Sequence, residues 1–121
     1  MGKDNLVLQK SYQFAIESIE LYKKLQKSKE YTIGKQLLRS GTSIGANVEE
    51  AIGGHSRSDF SYKISIAYKE AREAHYWLRL LRDTHYFSQA EADKHIFKAD
   101  ELIRILGSIQ KTLRDPIIPK S

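Results

Sequence analysis

The stretch from Ile33 to Ile52 constrains this chain more than any other. Its apolar residues fall at Ile33, Leu37, Ile44, Val48 and Ala51 or Ile52, the spacing of one helix face, yet Gly34, Gly41 and Gly45 stand inside the pattern. Each glycine in a helix interior costs about 0.8–1.0 kcal/mol relative to alanine. Three together cost about 2–3 kcal/mol, a large part of the about 5–15 kcal/mol that holds a domain together. A helix that keeps them needs compensation, and the missing Cβ offers it by letting another backbone come close. The glycines lie seven and four residues apart and so share a face. This predicts the most crowded helix of the fold, with Gly34, Gly41 and Gly45 all at points of close packing.

The only prolines are Pro116 and Pro119, which leaves the first 115 residues open to continuous helix. Four helices are expected, over about residues 4–27, 30–52, 59–83 and 88–114, followed by a short extended tail, 115–121. In the first, Leu8, Tyr12, Ala15, Ile19 and Tyr22 form one stripe and Phe14, Ser18, Leu21 and Leu25 a second. That face is wider than a two-helix contact needs and suits a bundle interior, or a core plus a subunit contact. Gly53-Gly54 should stop the second helix, and Ser58 should cap the third. In the third, Phe60, Ile64, Ala67, Ala71, Ala74, Leu78 and Leu81 alternate four and three apart, a coiled-coil-like seam. Ser88 with Glu91 reads as a capping box for the fourth, and Asp115-Pro116 as its stop. Short turns between helices of this length give an all-α, up-down-up-down antiparallel four-helix bundle, a single domain of 121 residues.

No cysteine occurs, which excludes disulfides and thiolate metal sites and fits a reducing compartment. With no long apolar run and no signal-peptide pattern at Met1-Gly2-Lys3-Asp4-Asn5, a cytoplasmic protein without a membrane span is expected. Net charge is +5, with +3 of it in the first 29 residues. Such an excess permits a nucleic-acid partner and equally describes a solvated surface.

Three groups of residues bear on function. Lys69, Arg72, Tyr76, Arg79 and Arg82 share the polar side of the third helix, where cations can meet phosphates and tyrosine can stack on a base. Lys24 and Lys27, with Lys23 and Lys29, crowd the end of the first helix, where they complement its dipole or meet phosphate. Asn47 and Glu50 on the second helix, and Glu70 and Glu73 on the third, need partners if they face each other. Arg39, Arg57, Lys69 and Arg72 are the available cations, so a hydrogen-bonded structural network that includes Arg57 is expected.

Catalytic patterns are missing. A carboxylate-bridged metal site needs a Glu three residues before a His on two helices, and none occurs. His55, His75, His85 and His95 are scattered, no activated Ser/His/Asp set is evident, and Gly53-Gly54-His55 lacks the spacing and lysine of a phosphate loop. Neither a cofactor nor a small-molecule substrate is implied, and the expectation is a non-enzyme.

Ser43-Ile44-Gly45-Ala46-Asn47-Val48-Glu49-Glu50-Ala51 resembles the Ser-Ile-x-x-Asn-Ile-x-Glu-Gly signature of the four helix bundle protein family, first noticed in intervening sequences of bacterial 23S ribosomal RNA genes. Arg57 and Asp59-Phe60 are similar to its positions after the glycine loop, and Lys69-Glu70-Ala71, Ala74, Tyr76-Trp77-Leu78 and Leu80-Leu81 to its third-helix signature. Two departures stand out: Ala51 replaces the usual glycine, and Gln26-Lys27-Ser28 replaces a Phe-Pro pair. The resemblance implies a bundle that assembles as a ring-shaped homopentamer. It also implies kinship with the accessory protein of diversity-generating retroelements, which binds nucleic acid and reverse transcriptase through a basic surface. The expected function is therefore a homo-oligomeric bundle that binds RNA, DNA or a nucleic-acid-handling protein; the alternative is a protein-binding adaptor or assembly subunit without nucleic-acid contact.

Overall fold

A 4-3 spacing of small and apolar side chains builds the first helix. In α1, Lys3–Lys27, the inward stripe is Val7, Ser11, Phe14, Ser18, Leu21 and Leu25, all buried. The computed structural model describes residues 2–114, so the expected tail and the Asp115-Pro116 stop lie outside the described residues. Of the two stripes expected on α1, the one through Phe14 and Leu25 is the core. The other turns outward, with Tyr12 65 % and Ile19 41 % exposed. Ser11 and Ser18 satisfy their hydroxyls on the carbonyls of Leu8 and Phe14, and so behave as small core residues.

Three helices follow: α2, Thr32–Ile52; α3, Arg57–Asp83; and α4, Gln89–Arg114. Each meets its neighbour in sequence, and α1 closes the ring against α4, far less extensively than it meets α2. This is the expected all-α four-helix bundle. Its core runs through Leu37, Ile44 and Val48 of α2, Ile64, Ala67, Ala71, Ala74, Leu78 and Leu81 of α3, and Ala92, Ala99, Leu102 and Leu106 of α4.

The glycines of α2 face α1, and they are not equivalent. A Cβ on Gly41 would lie 2.1 Å from Ser18 Oγ and 2.7 Å from Ser18 Cβ. On Gly45 it would lie 3.2 Å from the Ser11 carbonyl oxygen. On Gly34 its nearest neighbours would be Leu25 and Tyr22 side-chain atoms at 3.4 Å, ordinary contact. Close approach is thus required at Gly41, tight at Gly45 and not required at Gly34, which corrects the expectation that all three serve alike.

Helix ends differ from expectation by a residue or two, for local reasons. The Glu30 carboxylate accepts from the Thr32 and Ile33 amides, so Glu30 stands before α2 rather than in it. Ser56, not Ser58, caps α3 by accepting from the Asp59 amide at 3.0 Å, and Arg57 and Ser58 fall inside the helix. Ser88 accepts from the Glu91 amide, but the Glu91 carboxylate pairs with Lys24 instead of completing the box. Left-handed backbone appears at Lys29 (φ 61°) and His85 (φ 69°), where α1 and α3 end, while Gly53 after α2 has φ −82°. At these C-terminal ends glycine therefore sits where left-handed geometry is not needed, and two side-chain residues adopt it.

Candidate nucleic-acid interface

The outer face of α3 carries the candidate site. Successive turns of one helix place residues three and four apart side by side, and that spacing organises Arg72 and Arg79. Arg72 lies with its guanidinium 5.8 Å from the centre of the Tyr68 ring and donates to the Tyr68 hydroxyl at 3.4 Å. Arg79 lies 5.7 Å from the centre of the Tyr76 ring, and its Nε–H donates to His75 Nδ1 at 3.0 Å. His75 Nε2 in turn faces Asp100 Oδ1 of α4 at 3.0 Å. With Nδ1 accepting from arginine, Nε2 is the nitrogen that holds the proton and donates to Asp100. Tyr76 is 46 % exposed and meets the Trp77 ring edge-on at 5.0 Å. Lys69 is exposed on the same side.

Arg72, Tyr76, Arg79 and Lys69 lie along the outer face of α3, and the other nominated cations are placed differently. Arg82 is half-buried and bonded to Asp83 at 2.8 Å and Asp93 at 2.9 Å, and these two hydrogen bonds raise its pKa further. Its charge is spent within the fold. Lys24 pairs with Glu91. Lys27 is exposed at the end of α1, a helix that α3 does not touch, so Lys24 and Lys27 belong to a different surface.

The expected polar network divides into separate contacts. Arg39 of α2 bonds Glu70 at 3.1 Å and also Glu73, which accepts from Trp77 Nε1 at 3.0 Å. Glu50 leaves this group for Lys63 of α3, at 2.6 Å. Asn47 donates to the Ser43 carbonyl on its own helix, and Arg57 donates to the Leu113 carbonyl near the end of α4. Asn47 and Arg57 are therefore not members. One amide binding its own helix satisfies itself locally, and Arg57 reaches the nearby unpaired carbonyls of a helix end.

One cluster had no counterpart in the sequence reading. Glu17 of α1, buried, accepts from His95 Nδ1–H at 3.0 Å and from Lys98 Nζ at 2.6 Å, both on α4. Burial works to raise the Glu17 carboxyl, but hydrogen bonds from Lys98 and Gln13 and the nearby positive charge hold it below its ordinary value. Burial dominates at His95 and lowers it, against the pull of Glu17. Partners 78 and 81 residues apart leave no local signal. By contrast, Tyr68 and His75 stand four residues before Arg72 and Arg79, and that spacing would have found them. Among the described residues, no three His, Asp or Glu side chains gather as metal ligands, and no helix is long and apolar enough to cross a membrane.

Residues 3–108 match the family described as 23S rRNA-intervening sequence protein. In fold the chain is similar to a crystal structure of a protein with unknown function from the S23 ribosomal protein family of Bacteroides thetaiotaomicron VPI-5482. The two are 46 % identical, with a TM-score of 0.87 over 90 % of this chain and 98 % of that one. No curated protein matches the chain.

Proposed function

Since the chain belongs to the 23S rRNA-intervening sequence protein family, we propose that it is a non-enzymatic homo-oligomer, a pentamer as the sequence resemblance implies, that binds RNA or DNA in the cytoplasm through the outer face of α3. The observation that carries this reading is the pair Arg72 and Arg79. Both are exposed, both are held by aromatic or imidazole neighbours on their own helix, and neither has a carboxylate of a described residue at ion-pair distance, although the charge of Arg79 is felt at Asp83 one turn on. Arginines fixed in this way keep their donors for a phosphate and lose little side-chain freedom on binding it.

Self-association draws on the outward stripe of α1, where Tyr12, Ile16 and Ile19 are exposed together. Repeating a weak basic face around an assembly multiplies its affinity without any new contact. A gel-shift with structured RNA and DNA at low salt tests the reading, with light scattering of the same sample for the assembly. A shift that weakens steeply with salt and disappears in Arg72→Glu with Arg79→Glu is expected. No shift with any nucleic acid, or one indifferent to that double substitution, overturns it.

A further inference from the structure

Between α3 and α4 lies a hollow of about 290 Å³ lined by Arg72, His75, Arg79, Asp100 and Ile103. Resting on the function proposed above, we propose that this hollow seats the phosphodiester backbone of a single strand, with Tyr76 stacking on an unpaired base beside it, so that the protein selects single-stranded over duplex nucleic acid.

The donors are arranged for phosphate. Arg72 and Arg79 stand seven residues apart, about 10 Å along the helix axis, and both line the one hollow. Each is anchored by a single nitrogen, Arg72 to the Tyr68 hydroxyl and Arg79 to His75 Nδ1. Each therefore keeps further N–H groups for an oxygen ligand. The acid in the hollow, Asp100, is engaged by His75 Nε2. A neutral imidazole leaves the carboxylate its charge, so the two guanidinium groups must outweigh that repulsion, but the contact has a second effect. By accepting from Nε2–H it keeps the proton on that nitrogen and leaves Nδ1 to accept from Arg79, so Asp100 and His75 together position the arginine.

The preference for a single strand follows from Tyr76. Its ring stays 46 % exposed next to Arg79, on a convex helix surface. Paired bases are stacked on each other and show a protein only their edges, whereas an unpaired base can lie on an aromatic ring. A duplex laid across α3 reaches the two arginines with one strand and leaves Tyr76 without a partner.

Fluorescence anisotropy of the full chain with a uridine-rich single strand, a duplex of equal length and inorganic phosphate as competitor provides the test. The single strand is expected to bind at least about tenfold more tightly than the duplex. Tyr76→Ala should remove about tenfold of single-strand affinity, Tyr76→Phe should keep it, and the duplex should be indifferent to both. His75→Ala should weaken the single strand several-fold, with recovery in His75→Gln, which still offers an acceptor to Arg79. Equal affinity for both forms, or silence of Tyr76→Ala, overturns the inference while leaving nucleic-acid binding intact. Competition by inorganic phosphate at matched phosphate concentration overturns it too, by making the seat one for small anions. Absence of binding to either form sinks the function proposed above as well.

Discussion

α1 is held between two unlike seams. Toward α2 it presents Ser11 and Ser18 to Gly45 and Gly41, so closely that one added carbon would collide with the Ser18 side chain and crowd the Ser11 carbonyl. Toward α4 it reaches with long polar side chains: Lys10 to Glu101, Glu17 to His95 and Lys98, and Lys24 to Glu91. A hollow of about 460 Å³, bounded by Gln13, Glu17, Lys24, Glu91, Lys94 and His95, opens on that side. The first seam is set by what is missing from the side chains, the second by what they carry. A helix seated this way is fixed in depth by its α2 neighbour and only tethered to α4, so the two seams should respond to different perturbations.

The sharpest contrast is expected from Gly41→Leu. Its Cβ alone would sit 2.1 Å from Ser18 Oγ, and three further carbons have no room. Overpacking of this kind costs about 3 kcal/mol, which urea denaturation would register as a large fall in midpoint with an unchanged slope. Ser18→Gly in the same chain should restore part of the loss, because the collision is with that side chain. A tolerated Gly41→Leu would break the comparison, since it would mean that α1 can retreat from α2 as easily as from α4.

Next comes Glu17→Ala on the other seam, which leaves His95 without its acceptor and releases Lys98. Lys98 is half-exposed and turns to water, so the cost is that of losing buried hydrogen bonds, about 2 kcal/mol. Glu17→Gln keeps an acceptor and should lose clearly less. The ion pairs at the ends, Lys10 with Glu101 and Lys24 with Glu91, lie at partly exposed positions and should add only about 0–1 kcal/mol each. Salt should therefore weaken the α4 seam slightly and leave the α2 seam untouched.

Gly34→Ala has the opposite sign and sharpens the first seam internally. Its Cβ meets only side-chain atoms, at 3.4 Å, so the gain in helix propensity of about 0.8–1.0 kcal/mol should survive. Thermal melts that rank Gly34→Ala above the native chain, Gly45→Ala near it and Gly41→Ala below it would locate the close approach at the middle of α2. A uniform loss at all three would show that the whole face is equally crowded.

These seams were unequally legible in the sequence. Glycines inside a helical apolar pattern are a backbone signal, and they announced the α1–α2 contact without naming α1. They could not rank themselves, because crowding depends on the partner residue: a serine side chain at Gly41, a carbonyl at Gly45, flexible leucine and tyrosine at Gly34. The heptads of α3 placed its core correctly for the same reason of period. The Glu17–His95–Lys98 contact was invisible, since long side chains from distant segments meet wherever the packed backbones leave them. Arg72, Tyr76 and Arg79 were readable because they share one side of one helix, and Tyr68 and His75, four residues before the two arginines, were missed although the same period reaches them. Arg82 was misassigned because Asp93, its second acid, belongs to α4. Cations on an outward stripe look alike until the neighbouring helix is in place.

The smallest effect separates the seams by pH. Every titratable group facing His95 belongs to α1 or α4: Glu17, Glu20 and Lys24 from the first, Glu91, Lys94 and Lys98 from the second. Burial lowers His95 below its ordinary value of 6.5, so on acidification through that value the unfolded chain takes up a proton that the folded chain refuses. Proton uptake by the unfolded state alone lowers stability as pH falls. Glu17, held below its ordinary 4.5, acts in the same direction at lower pH: its contribution is present above that value and is lost as the carboxylate is protonated. Stability should therefore be flat above about pH 7 and decline toward pH 5. His95→Gln, which cannot titrate but still donates to Glu17, should flatten that first decline and leave the later one. Gly34→Ala, on the seam without charges, should shift the whole profile without changing its shape. If His95→Gln keeps the native slope between pH 7 and 5, the proton is being taken up elsewhere, and the α4 seam loses its claim to be the acid-sensitive side of α1.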